Sequence, residues 1–157
     1  MTSTDSAAKP APWHAAYPAP RNPIPATIRR EDVFFMMKDG TSTAGKKYLL
    51  VDLRRNDHEG GTIRGSINLP AQSLYPTIPL LYTLFKEAGL KKVIWYCSSS
   101  KGRGNRAAGW FADYIADQGD TEMESLALLE GISGWANAGG EYVELMEEYD
   151  EKAWVKT

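Results

Sequence analysis

The sequence predicts an α/β protein: a parallel sheet flanked by helices, in a single domain spanning residues 27–157. Three observations carry that expectation. From residue 27 onward, short apolar and β-branched runs alternate with stretches whose apolar residues recur at helical spacing. The chain has 157 residues, 43% apolar and 24% charged, with a net charge of −2, which suits one globular unit with a substantial core. No internal repeat in the range of roughly 20 to 50 residues points to a solenoid. The same numbers exclude collagen-like, coiled-coil and wholly disordered chains. No apolar run approaches the ~18 residues of a membrane span, and residues 1–26 lack the apolar stretch of a secretory signal. A cytoplasmic or else nuclear protein is expected, with no membrane partner. Near-neutral charge offers no general field for nucleic acid, which is not expected as a partner either.

Taken in order, residues 1–26 hold six of the nine prolines among alanines, a composition that favours extended chain and packs no core of its own. This segment reads as an arm. Trp13, His14 and Tyr17 suit docking on the folded body or on a partner, and the body is favoured because isolated exposed aromatics are uncommon. Val33, Phe34, Met36 and Met37 give 30–38 helical spacing, ended by Gly40. Residues 48–52 (YLLVD) form a buried-strand run and 66–69 a second short strand. An apolar helix over 76–88 ends near Gly89, and Val93 to Tyr96 is a β-branched and aromatic strand ending at Cys97. After a polar loop come a helix over 107–116, a last strand over 126–129 and two short helical stretches around Gly139 and Gly140. The acidic residues Glu141, Glu144, Glu147, Glu148, Asp150 and Glu151 read as a solvated helix face.

The chemistry concentrates at Cys97-Ser98-Ser99-Ser100-Lys101-Gly102-Arg103. This segment lies between strand and helix, where ligands gather at the carboxyl ends of parallel strands. Backbone N–H groups of such a loop, with the positive end of the following helix, make a seat for an anion. A thiolate at its base is such an anion, so Cys97 is expected to ionise more readily than a free cysteine and to act as a nucleophile. Arg103 returns with a planar fork that fits two oxygens of a tetrahedral oxyanion. A lone cysteine is often only a small buried hydrophobe, but one followed by small polar residues and an arginine before a helix suits a site. Ser98, Ser99, Ser100, Lys101 and Gly102 are the candidate substrate-binding residues, acting mainly through backbone N–H groups. Residues 102–107 also fit a dinucleotide-binding glycine pattern, but that pattern begins directly after its strand, and here five residues intervene. With one cysteine there is no internal disulfide, and with two histidines no three-histidine metal centre, so no bound cofactor or metal is expected.

Three stretches resemble the rhodanese superfamily over roughly residues 27–145. They are 50–54 with 58–70 (HEGGTIRGSINLP), the Cys97 loop, and 129–135 (LEGISGW). The resemblance implies a rhodanese-like sheet. Within that superfamily, sulfurtransferases typically carry a six-residue loop, whereas cell-division-cycle dual-specificity phosphatases and eukaryotic arsenate reductases carry seven, with room for phosphate or arsenate. This chain has seven, Cys97 through Arg103, and Gly104 and Arg106 also look like those two families. The phosphatases place a glutamate inside the loop; here none of Ser98 to Gly102 is acidic, and Ser100-Lys101 resembles the arsenate reductases. Two positions depart from the family pattern: Tyr96 stands where a histidine usually precedes the cysteine, and Thr62 where one follows the paired glycines. Asp52 and Arg54 read as a structural pair satisfying backbone groups near the loop, and Trp135 as core. His14 and His58 read as structural or solvated.

The resemblance therefore implies a thiol-dependent arsenate reductase using Cys97 and Arg103. Lacking a second cysteine, it would draw electrons from an external thiol such as glutathione, with glutaredoxin as partner. The alternatives are a phosphatase acting through a phosphocysteine, a thiosulfate sulfurtransferase, and a non-catalytic phosphate-binding module. All take a small oxyanion or a phosphorylated substrate.

Overall fold

The structure, a computed structural model, describes residues 11–39 and 47–154. Gly40, the expected end of the first helix, lies outside the described residues. Among the described residues seven strands form: Thr27–Ile28 (β1), Tyr48–Asp52 (β2), Thr62–Ile63 (β3), Ser66–Asn68 (β4), Lys92–Tyr96 (β5), Glu124–Leu128 (β6) and Met146–Glu147 (β7). The α-helices are Arg30–Lys38 (α1), Ile78–Glu87 (α2), Arg103–Asp117 (α3), Gly131–Ala136 (α4) and Gly140–Val143 (α5). Five strands make one parallel sheet in the order β1-β6-β5-β2-β4, and β3 pairs with β7 in a separate antiparallel ribbon.

The period-two alternation of the central strands divides the core between the two faces of the sheet. Leu49, Val51, Val93 and Trp95 join Phe85, Trp110 and Phe111 on the α2/α3 face. Leu50, Ile94, Tyr96 and Leu128 join Val33, Ile132 and Trp135 on the other. Cys97, next in the alternation after Val93 and Trp95, belongs to the α3 face. Asp52 pairs with Tyr96 in register, so the segments after β2 and β5 leave the same carboxyl edge side by side. That edge carries the site.

Several boundaries differ from the sequence reading. The third helix begins at Arg103 rather than Ala107, so Arg103 is its first residue rather than the end of a free loop. The strand over 124–128 is the last of the parallel sheet but not of the chain, because β7 follows. The late acidic residues do not share one helix face. Glu141 is in α5, Glu147 is on β7 bonded to Arg64 Nε at 2.9 Å, and Glu151 opens a short 3-10 turn.

The arm lies on the body. Tyr17 stacks on Tyr75 and meets Trp110 edge-on, as does Trp13. Trp110 Nε1 donates to Pro18 O at 2.8 Å, and Arg21 pairs with Asp113 and Asp117. Gly109 of α3 lets this happen, since a Cβ there would lie 2.7 Å from Pro20.

Candidate active site

Cys97 is buried at the end of β5, and the loop curls back over it. Ser100 N–H and Gly104 N–H point at its sulfur from 3.2 and 3.4 Å. The curl depends on two positions. Ser100 adopts a left-handed conformation with φ +63°, held where its hydroxyl accepts from Cys97 N–H at 3.4 Å. Gly104 has no Cβ to collide with Ser100, whose own Cβ would stand 2.9 Å away. From outside, α4 fixes the loop: Ile132 N–H and Ser133 N–H donate to Cys97 O and Ser98 O at 3.0 and 2.9 Å. Gly131, with φ +58°, permits this approach, since a Cβ there would lie 2.4 Å from Cys97 O. The 129–135 stretch thus acts on the site by clamping the backbone of its loop.

The other candidates fall around the same centre. Ser98 is half-buried, Ser99 and Lys101 are exposed, Ser100 is buried and Gly102 is exposed at the helix start. Among the described residues, the backbone N–H groups of Ser98, Ser99, Gly102 and Arg103 have no hydrogen-bond partner. Unengaged donors beside a helix N-terminus form an anion seat. Ser99 Oγ instead accepts from Lys101 N–H at 3.3 Å, so its side chain shapes the loop.

Arg103 is already engaged. Its Nη1 and Nη2 bond the two oxygens of Asp57 at 2.9 and 2.5 Å, and Ser98 Oγ donates to the same carboxylate at 3.2 Å. The guanidinium holds the Asp57 carboxyl well below the usual carboxylate range, and the carboxylate in turn raises Arg103. Sequence reasoning missed Asp57. It lies 46 positions before Arg103, in the turn after β2, and reads there as an ordinary exposed acid. Only its place just beyond a strand's carboxyl end signalled it.

Beneath this surface is a second, closed network. Asp52 and Arg54 are buried as a pair: Arg54 Nη2 and Nε bond Asp52 at 2.7 and 2.9 Å, and Arg54 also donates to Glu59 O and Gly61 O. That is the structural role expected for the two. Thr62 Oγ1 donates to Asp52 at 2.9 Å and lies 2.7 Å from Tyr96 Oη, which also meets Ser66 Oγ and accepts from Ile63 N–H. Burial and the Asp52 charge push the Tyr96 phenol up, keeping it a neutral hydrogen-bonding group. Tyr96 and Thr62, the two departures from the family pattern, are therefore hydrogen-bonded to each other. His58 Nε2 lies 3.4 Å from Asp52 at the edge of this network, and Trp135 is core.

Cys97, Ser98, Ser99, Gly102, Arg103 and Asp57 line a pocket of about 450 Å³, completed by Trp13, His14, Gln72 and Arg106. A larger groove of about 520 Å³ beside the arm, over Tyr75 and Trp110, contains none of these polar groups. Among the described residues no cluster of three His, Cys, Asp or Glu could hold a metal, and no helix is long and apolar enough to cross a membrane.

The model of the family described as "Rhodanese-like domain" matches residues 37–138. Arsenical-resistance protein 2 of Saccharomyces cerevisiae is 31% identical over 97 residues, which span 57% of this chain and 75% of that protein. Among solved structures, a yeast protein tyrosine phosphatase of the rhodanese family aligns with a TM-score of 0.68 at 22% identity, over 83% of this chain and 96% of that one. The As-Sb reductase from Leishmania major aligns at 0.64 and 22%, covering 77% of this chain and 83% of the other. At these identities the two structures show a shared fold.

Proposed function

The chain belongs to the rhodanese-like domain family, and within that family we propose that it is a thiol-dependent arsenate reductase. The observation that carries the proposal is the bidentate grip of Arg103 on a carboxylate beside the Cys97 sulfur, which fits a guanidinium built to hold two oxygens of an anion. The similarity to an arsenical-resistance protein supports arsenate as that anion. Residues 27–157 would be the working domain and 1–26 its arm.

In this reading the Arg103 guanidinium and the unengaged N–H groups of Ser98, Ser99, Gly102 and Arg103 bind arsenate in place of Asp57, while Ser100 N–H stays on the Cys97 sulfur and Lys101 N–H on Ser99 Oγ. The Cys97 sulfur attacks arsenic, an As–O bond breaks, and the leaving oxygen takes two protons, one from the cysteine and one from the arsenate, to depart as water. Two external thiols then supply two electrons: they join as a disulfide, the As–S bond to Cys97 breaks, and arsenic leaves as arsenite. Glutathione, with glutaredoxin as its protein carrier, fills that role, because the chain offers no second cysteine. Asp57, held ionised by Arg103, is the anion to be displaced rather than a proton donor.

The test is arsenite formation with and without thiol. The reductase reading expects arsenite only when glutathione is present. A second reading, hydrolysis of a phosphate ester through a phosphocysteine, rests on the same seat and on the likeness to a protein tyrosine phosphatase. It expects release of phosphate from an aryl phosphate with no thiol added.

A further inference from the structure

The pocket over Cys97 is far larger than its oxyanion. At roughly 30 Å³ per oxygen-sized group, a tetrahedral oxyanion fills on the order of 120 Å³, whereas the pocket holds about 450 Å³, the size of sites that take whole organic ligands. The excess is walled by Trp13 and His14 from the arm, Gln72 from the turn before α2, and Arg106 from α3.

These walls are polar and uncommitted. The Arg106 side chain makes no hydrogen bond or ion pair among the described residues, and neither does the side chain of Lys101. A second depression of about 240 Å³ adjoins at Gly102 and Arg106 and is lined by Lys101 as well. Two unpaired cations therefore flank the pocket on a chain whose net charge is −2. The Gln72 carbonyl Oε1 is buried without a partner among the described residues, an acceptor that a bound N–H would satisfy. The His14 ring meets the Trp13 ring edge-on and makes no hydrogen bond among the described residues, which leaves its nitrogens open to a ligand.

We propose that this outer part of the pocket binds the thiol co-substrate, a small peptide thiol of the glutathione class. Its two carboxylates would meet Arg106 and Lys101, and an amide N–H would meet Gln72. Its sulfur would then face the arsenic held on Cys97. The inference rests on the reductase reading and assigns the arm a function: Trp13 and His14 complete a wall that the domain alone lacks.

Capture of the thiol can be measured without arsenate, through the reaction of Cys97 with glutathione disulfide. The cysteine thiolate attacks one sulfur, the S–S bond breaks, a mixed disulfide with Cys97 forms, and glutathione thiolate leaves; mass spectrometry of the full chain gives the rate. Hydroxyethyl disulfide, which is neutral, serves as the comparison probe. Arg106→Gln is expected to slow the reaction with glutathione disulfide roughly tenfold, the worth of one charge-assisted contact, and to leave the neutral disulfide unaffected. His14→Ala and Gln72→Ala are expected to lower the same selectivity by smaller factors. Unchanged selectivity in Arg106→Gln, or an equal loss toward both disulfides, overturns the proposal. Because arsenate takes no part, failure of the reductase reading would appear separately, as absent arsenite formation when glutathione is supplied.

Discussion

Two arginine–aspartate pairs stand at the same edge of the sheet, five residues apart on their acidic side, and the molecule uses them in opposite ways. Asp52–Arg54 is 0% and 1% exposed, with further lone pairs and N–H groups taken by Thr62, Glu59 O and Gly61 O. Asp57–Arg103 has 45% and 21% of its side chains exposed and opens on the pocket. A buried, fully bonded pair cannot exchange partners without leaving charges stranded, so it serves as a fixed strut. A half-exposed pair can exchange a carboxylate for another anion at small cost, which suits it to the anion site proposed above. Burial, rather than residue type, separates the two roles.

Breaking the strut gives the largest expected effect. Asp52→Ala leaves Arg54 charged and unpaired, and should cost about 3–5 kcal/mol of stability in chemical denaturation. Asp52→Asn, keeping part of the bonding, should cost less. Arg103→Ala removes the fork and should lower kcat/KM for arsenate by roughly 10²–10³-fold, while the melting temperature stays near wild type. Equal damage to stability in both alanine variants would erase the distinction drawn between the pairs.

A finer break lies in the tyrosine network. Tyr96→Phe deletes the hydroxyl that Thr62, Ser66 and Ile63 N–H all meet, at a cost of about 1–3 kcal/mol. The Tyr96→Phe/Thr62→Val double variant should cost less than the sum of the singles, because the two groups share one bond. Additive costs would mean that they act independently.

The smallest effect sharpens the comparison most. Asp57→Asn removes the anion that competes for Arg103, and should lower KM for arsenate about three- to tenfold while changing stability by less than ~1 kcal/mol. A raised KM would show that Asp57 positions the fork instead of guarding it. The pH dependence has a definite sign. Because Asp57 is depressed in the folded protein, whatever stability its pairing adds is fully present above the unfolded carboxyl value of about 3.9 and is lost as pH falls through the lower folded value. Melting curves of wild type and Asp57→Asn should therefore differ by a constant amount from about pH 5 to 8 and converge only in stronger acid.

Much of this architecture was legible in the residues. The buried runs at 48–52 and 93–96, and a cysteine placed where the second one ends, located the sheet and its carboxyl edge. The start of α3 is hidden because residues 98–106 are polar or glycine and carry no apolar helical spacing until Ala107. In the fold Gly104 is helical, since close approach to Ser100 and a free N–H toward the sulfur are what that position must supply. The two-residue strands β1, β3 and β7 were invisible to periodicity, which needs longer runs to register. Thr62 and Tyr96 read as two separate departures from a family pattern; 34 positions apart, only tertiary structure makes them partners. Asp57 and the pocket wall of Trp13, His14, Gln72 and Arg106 depend in the same way on contacts between segments distant in the chain.

The most direct test of the central claim is arsenate-dependent NADPH oxidation coupled through glutathione, glutaredoxin and glutathione reductase, with the Cys97→Ser variant measured alongside. The account predicts one NADPH consumed per arsenite formed by the wild type, and none above background in the variant. A wild-type rate no greater than that of Cys97→Ser would contradict it.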